Sequence, residues 1–258
     1  MKPTIDKRVI RTQVTNPNRT GRELQEFFLF AFAVRGKKSR VAEAKINYLL
    51  ELIEGERERW MEAMCEDPGW NEDAEDKDFA EQTKEFVAWC GPLELLAWLD
   101  PAVQLDLLSK PLPEHYKDEY WIINSSGGLG CYKQWAQMIE FFTNAIAFNN
   151  VNSFLKTASI STLESIPNIK MKTSRFFVLH SRADARCIPL DTHILRYLRD
   201  KGFKSAPDKT PSKARDYEYF EGLAIRQLKM VDKWGSLAEG DLETWKMYSG
   251  ETTTDEAR

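Results

Sequence analysis

Residues 166–198 read IPNIKMKTSRFFVLHSRADARCIPLDTHILRYL, and their order decides how the rest of the chain is read. Pro167-Asn168 is a turn signal. Lys172-Thr173 opens a helix, a basic loop follows, and Pro189-Leu190-Asp191-Thr192-His193 introduces a second helix. This places one lysine and one carboxylate at the starts of two neighbouring helices. A lysine beside a helix start can meet a phosphate or a sugar aldehyde. A carboxylate at an N-cap accepts backbone N–H bonds, and the helix dipole favours its negative charge. The turn itself, residues 166–173, aligns backbone N–H groups that can hold a phosphate without reading base sequence.

Working outward, 258 residues suffice for one large domain or two interlocked ones. An apolar share of 42%, with 14 Phe and 8 Trp, argues for a folded globule rather than a disordered chain. No run approaches the ~18 uncharged apolar residues of a membrane span, and MKPTIDKRVIRTQ lacks the apolar core of a secretion signal. Cys65, Cys90, Cys131 and Cys187 form no CxxC pair, so reduced thiols, no metal, no iron–sulfur cofactor and a cytoplasmic setting are expected. His115, His180 and His193 do not make a metal set, and His193 reads as a packed or capping side chain. Gly127-Gly128-Leu129-Gly130 lacks the Gly-Lys-Ser/Thr of a phosphate loop and reads as a plain loop.

The net charge of −4 conceals two opposite regions. Residues 54–81 hold twelve acids against three cations and read as a solvated surface, whereas residues 164–204 hold nine cations against four acids. Screening limits the reach of distant charge to roughly 8–10 Å, so a local basic face can bind phosphates on an acidic protein.

The pattern is helical almost throughout, and the expected class is all-α. Two helices over residues 24–53 break at Arg35-Gly36-Lys37-Lys38, with Ser39 as a candidate N-cap. Residues 81–99 are helical with an interruption at Gly91-Pro92, and three prolines between 100 and 121 imply short helices and loops. Helices are also expected near 132–148, 153–158, 161–165, 217–234 and 242–248. Residues 27–32 (FFLFAF), Trp121 and Trp135 read as core rather than as base-stacking platforms. A polar arm (1–20) precedes the folded region, taken as 21–250, and a disordered tail (251–258) follows it.

Residues 166–196 resemble the signature of the helix-hairpin-helix DNA glycosylases, the endonuclease III superfamily. That family's hairpin reads Leu-Pro-Gly-Val-Gly-x-Lys-Thr-Ala, and its catalytic segment Val-Asp-Thr-His starts a helix some eighteen residues on. Pro167, Ile169, Lys172 and Thr173 match the first, and Leu190, Asp191, Thr192 and His193 match the second, with Asp191 nineteen residues after Lys172. Residues 24–50 resemble the family's early helix pair, which puts Arg35, Gly36, Lys37 and Lys38 at its DNA-probing loop. The match covers roughly a third of the chain. Both hairpin glycines are replaced, by Asn168 and Lys170. Asn tolerates a left-handed backbone, while a side chain at 170 hinders close approach of a phosphate. KTSRFFVLHSR, LDTHIL and DLETWKMYS are similar to a phage-associated branch named for α-glutamyl and putrescinyl thymine chemistry, some members of which resemble anti-phage glycosylases.

The resemblance implies a helix-hairpin-helix fold of two interlocked helical subdomains with a cleft between them, the hairpin at 161–182 and the catalytic helix start at 189–200. It implies a monomer acting on double-stranded DNA with modified bases, away from membranes. Asp191 and Lys172 would be catalytic, while Asn168, Ile169, Lys170, Thr173, Arg35, Gly36, Lys37 and Lys38 would bind DNA. The implied activity is excision of a modified pyrimidine such as glycosylated hydroxymethylcytosine, with an associated lyase if Lys172 forms a Schiff base. Two other readings stay open. One is a transferase installing an amino acid or polyamine on an activated hydroxymethyl-pyrimidine in DNA. The other is a silent DNA-binding module, against which Lys172 and Asp191 argue.

Overall fold

A computed structural model describes residues 14–35, 39–66, 74–119, 128–145, 151–229 and 235–249. Among these, every regular element is a helix. No described helix is long and apolar enough to cross a membrane. The chain divides into two compact units, one built from residues 19–158 and 166–168, the other from 14–18, 159–165 and 169–249.

In the first unit, α1 (Gly21–Ala33) starts at Thr20. The Thr20 hydroxyl accepts from the Glu23 N–H, and the Glu23 carboxylate accepts from the Thr20 N–H, satisfying two donors that a helix start leaves open. All six side chains of the Phe-rich run 27–32 are buried, as the sequence predicts. Phe32 meets Trp135 edge-on with ring centroids 4.7 Å apart, and Phe28 meets Phe142 at 5.5 Å. Both partners lie on α2 (Tyr132–Ala145). The expected break at 35–38 falls between α1 and α3 (Ser39–Glu66), with Gly36, Lys37 and Lys38 outside the described residues.

The second expected break, at Gly91-Pro92, separates α4 (Ala74–Trp89) from α5 (Pro92–Trp98). Gly91 has no side chain with which to cap α5, and Gln25 of α1 takes over that role. Its Oε1 accepts from Leu93 and Glu94 N–H at 2.9 and 3.2 Å. A Cβ at Gly91 would run into Gln25, so the glycine makes room for a cap supplied from a distant helix. Three short helices complete the unit: α6 (Pro101–Ser109), α7 (Glu114–Glu119) and α8 (Val151–Thr157). The prolines around residue 100–121 do mark short helices, and Trp121 lies outside the described residues.

The second unit holds α9 (Ile160–Glu164), α10 (Met171–Ser181), α11 (Thr192–Asp200), α12 (Ala214–Lys229) and α13 (Leu237–Ser249). α11 turns Ile194, Leu195, Tyr197 and Leu198 inward and leaves Arg196 exposed. It packs on α12 and α13, and α13 also packs on α10. α13 begins five residues before the apolar pattern predicts. The reason is a cap: Ser236 Oγ accepts from the Glu239 N–H, and the Glu239 carboxylate accepts from the Gly235 N–H at 2.7 Å. The earlier start places Asp241 on the helix. The tail 251–258 lies outside the described residues, and so do residues 1–13 of the arm.

Candidate active site

The hairpin between α9 and α10 carries the first set of expected residues. Asn168 sits at φ +68°, the left-handed region that asparagine tolerates better than most side chains. Lys170 is extended at φ −124°, ψ 175°, so its position does not require glycine. Arg35 does not stand clear as a probe. Its Nη1 donates to the Asn168 carbonyl at 2.6 Å, its Nε donates to the Phe32 carbonyl at 2.7 Å, and its guanidinium stacks on the Phe32 ring. Asn168 Nδ2 in turn donates to Gln137 Oε1. Arg35 and Asn168 therefore fix the turn.

Beyond the turn, α10 starts at Lys170 with no side chain capping its first N–H groups. Ile169 and Thr173 are buried, so what they offer outward is backbone, while Lys170 is exposed. An uncapped start on an eleven-residue helix, flanked by the exposed Lys170 and the half-buried Lys172, is an arrangement suited to an anion.

Asp191 caps the neighbouring α11. Its Oδ1 accepts from both His193 and Ile194 N–H at 2.9 Å, and Oδ2 takes part in neither bond. The residue is half-buried. The segment leading to it is tied at each step. Ile188 N–H donates to Glu221 Oε1 at 3.0 Å, Leu190 N–H to the Tyr217 hydroxyl at 2.8 Å, Asp191 N–H to the Pro189 carbonyl, and Thr210 Oγ1 to the Leu190 carbonyl. The Tyr217 hydroxyl donates onward to the Ile188 carbonyl.

Behind these ties lies Arg175 of α10, its Nε 2.9 Å from both Glu221 oxygens, its Nη1 2.6 Å from Glu164, and its guanidinium over the Tyr217 ring. Burial works against the Arg175 charge, but bonds to Glu221 and attraction from both carboxylates hold its pKa above the ordinary value. Burial raises the Tyr217 pKa, and it pushes the Cys187 thiol beside this network up to about 12. The result is a rigid, dry support for one half-exposed carboxylate.

α13, which packs on both α10 and α11, carries a buried carboxylate, Asp241. It is 6% exposed, and its Oδ2 lies 3.1 Å from His180 Nε2. Burial raises its pKa, the His180 bond opposes that, and Asp191 repels its charge while Lys172 attracts it. His180 is fully buried, and its Nδ1 lies 2.8 Å from Thr15 Oγ1. The ring of His193 packs edge-on against Trp245 with centroids 6.2 Å apart.

Tyr217, Glu221, His180 and Asp241 are among the residues of this site to which the sequence reading gives no role. A signal for Glu221 does exist, because it interrupts the buried stripe Tyr217, Phe220, Ala224 and Leu228 of α12. A carboxylate on an apolar stripe announces a buried partner. Among the described residues no three His, Cys, Asp or Glu side chains converge as a metal set.

No protein-family model matches this chain, and no curated protein or solved structure is significantly similar to it.

Proposed function

We propose that the chain is a DNA glycosylase of the helix-hairpin-helix type that excises a modified pyrimidine, with Asp191 and Lys172 as its catalytic residues. The observation that carries this reading is the carboxylate of Asp191. One of its oxygens is spent on the helix cap while the other is not, and five hydrogen bonds hold the backbone that leads to it. The uncapped start of α10 beside Lys170 and Lys172 supports a phosphate contact that would set the duplex in register.

The target nucleotide leaves the stack, since its glycosidic carbon is out of reach inside a duplex. As the C–N bond lengthens, positive charge gathers on the sugar, and Asp191 Oδ2 stabilises it and orients the attacking water. Lys172 serves as a fixed cation beside phosphate, or as an amine that attacks the sugar aldehyde once the base has left.

The decisive experiment mixes the protein with duplexes carrying glucosylated hydroxymethylcytosine, other phage modifications, or plain cytosine. Release of the modified base, leaving an abasic site, is the expected result. No release from any modified duplex overturns the reading, and a mass gain on the base replaces it with the transferase. Asp191→Asn keeps a capping oxygen but loses the charge, and it should lower the rate by about two to three decades.

A further inference from the structure

The loop between α11 and α12 carries charge for which the fold has no use. Residues 201–213 read KGFKSAPDKTPSK, four lysines against one acid in a chain whose net charge is −4. Lys201, Lys204, Lys209 and Lys213 are all exposed. The one acid, Asp208, is already matched, with its carboxylate 3.3 Å from Arg199 of α11. Among the described residues none of the four lysines is paired with an acid.

This loop is held in place and tied to the site. Gly202, at φ +96°, ends α11: its N–H donates to the Arg199 carbonyl and the Phe203 N–H donates to the Leu198 carbonyl, each at 3.0 Å. Arg199 Nη1 then donates to the Ala206 and Pro207 carbonyls at 3.2 and 2.6 Å, and Ala206 is buried. Thr210 Oγ1 donates at 2.7 Å to the Leu190 carbonyl, the oxygen of the peptide bond that joins Leu190 to Asp191. Lys209 is thus connected, through its chain neighbour, to the backbone that carries the proposed catalytic carboxylate.

We infer that residues 201–213 form a second phosphate-binding element, which holds the backbone of double-stranded DNA near Asp191 through Lys204, Lys209 and Lys213. The inference rests on the proposed site and gives part of its duplex contact to a loop far from the hairpin in sequence. A loop already fixed by its own bonds loses little freedom on binding. Lysine ammoniums act as point charges, so the contact is independent of base sequence. Screening confines each charge to roughly 8–10 Å, which lets this patch act on an acidic chain.

The test measures affinity for a plain, fluorescently labelled duplex by anisotropy over a series of salt concentrations. Lys204→Gln/Lys209→Gln/Lys213→Gln is compared with the unaltered chain and with Lys133→Gln/Lys156→Gln/Lys229→Gln, which removes equal charge from exposed positions elsewhere. Each phosphate contact contributes about 0.9 to the slope of log affinity against log salt, so the slope of the loop variant should be shallower by about two to three. At about 0.1 M salt its affinity should be weaker by about tenfold or more, with the control within about twofold of the unaltered chain. Equal slopes in the loop variant and the unaltered chain overturn the inference. So does an equal change in the control, which would be an effect of net charge alone, and so does an unaltered chain that binds no duplex. Base release from the modified duplexes is scored separately. A shallower slope without release keeps the loop as a DNA contact and removes the glycosylase, whereas release with an unchanged slope does the reverse.

Discussion

Arg57 in the first unit and Arg175 in the second are both buried, at 6% and 8% exposure, and both are ringed by acceptors. Arg57 spends its guanidinium on the end of one helix, donating to the Val87 and Cys90 carbonyls and pairing with the part-exposed Glu54. Arg175 spends its own on two carboxylates, one of which, Glu221, also receives the backbone N–H of Ile188, three residues before Asp191. The same device closes a helix end in one unit and steadies the segment before Asp191 in the other. The partner, not the arginine, decides which.

That comparison can be broken by substitution. Arg175→Met leaves the buried Glu221 without its counter-charge, and the thermal unfolding midpoint should fall by the equivalent of about 3–5 kcal/mol, taking base release with it. Arg57→Met strands carbonyls and a carboxylate that already meets water, so the cost should be about 1–3 kcal/mol. A larger loss at Arg57 than at Arg175 would invert the account. Tyr217→Phe strands the Leu190 N–H at a cost of about 1–3 kcal/mol and loosens the segment before Asp191. Its base release should drop more than its urea midpoint would imply, and equal scaling of the two would remove Tyr217 from the site's support.

Smaller still is the cap. Asp191→Ala should destabilise by about 1 kcal/mol and Asp191→Asn by only a few tenths, which urea titration separates from their shared loss of activity. The mildest probe is alkylation at pH 8. Cys131 is exposed and should label, whereas Cys187, held as a thiol by a pKa near 12, and Cys90, raised in the same direction by burial, should not. Labelling of Cys187 in the native protein would mean that the Arg175–Glu221 region opens readily.

How much of this was legible in the sequence varies with the range of the interaction. The Asp191 cap and the left-handed Asn168 follow from groups within three residues of each other. The early start of α13 was also local, written in Ser236 and Glu239, but an apolar pattern search passes over polar caps. Arg35 illustrates the opposite case. A basic residue in a loop after a helix reads as exposed and, by the resemblance, as part of a DNA-probing loop, yet its guanidinium reaches the Asn168 carbonyl 133 residues away.

The sequence by itself determined the helical class, the breaks at Gly91-Pro92 and around residue 36, and the placement of a carboxylate and a lysine at two helix starts. These depend on backbone sterics and on hydrogen bonds that close within one turn. Only the tertiary structure decided that Glu221 and Tyr217 hold the approach to Asp191, and that the buried His180 and Asp241 pair. Those partners lie 33, 27 and 61 residues apart along the chain. No local rule pairs them, because burial, which forces each polar group to find a partner, exists only after the helices have packed.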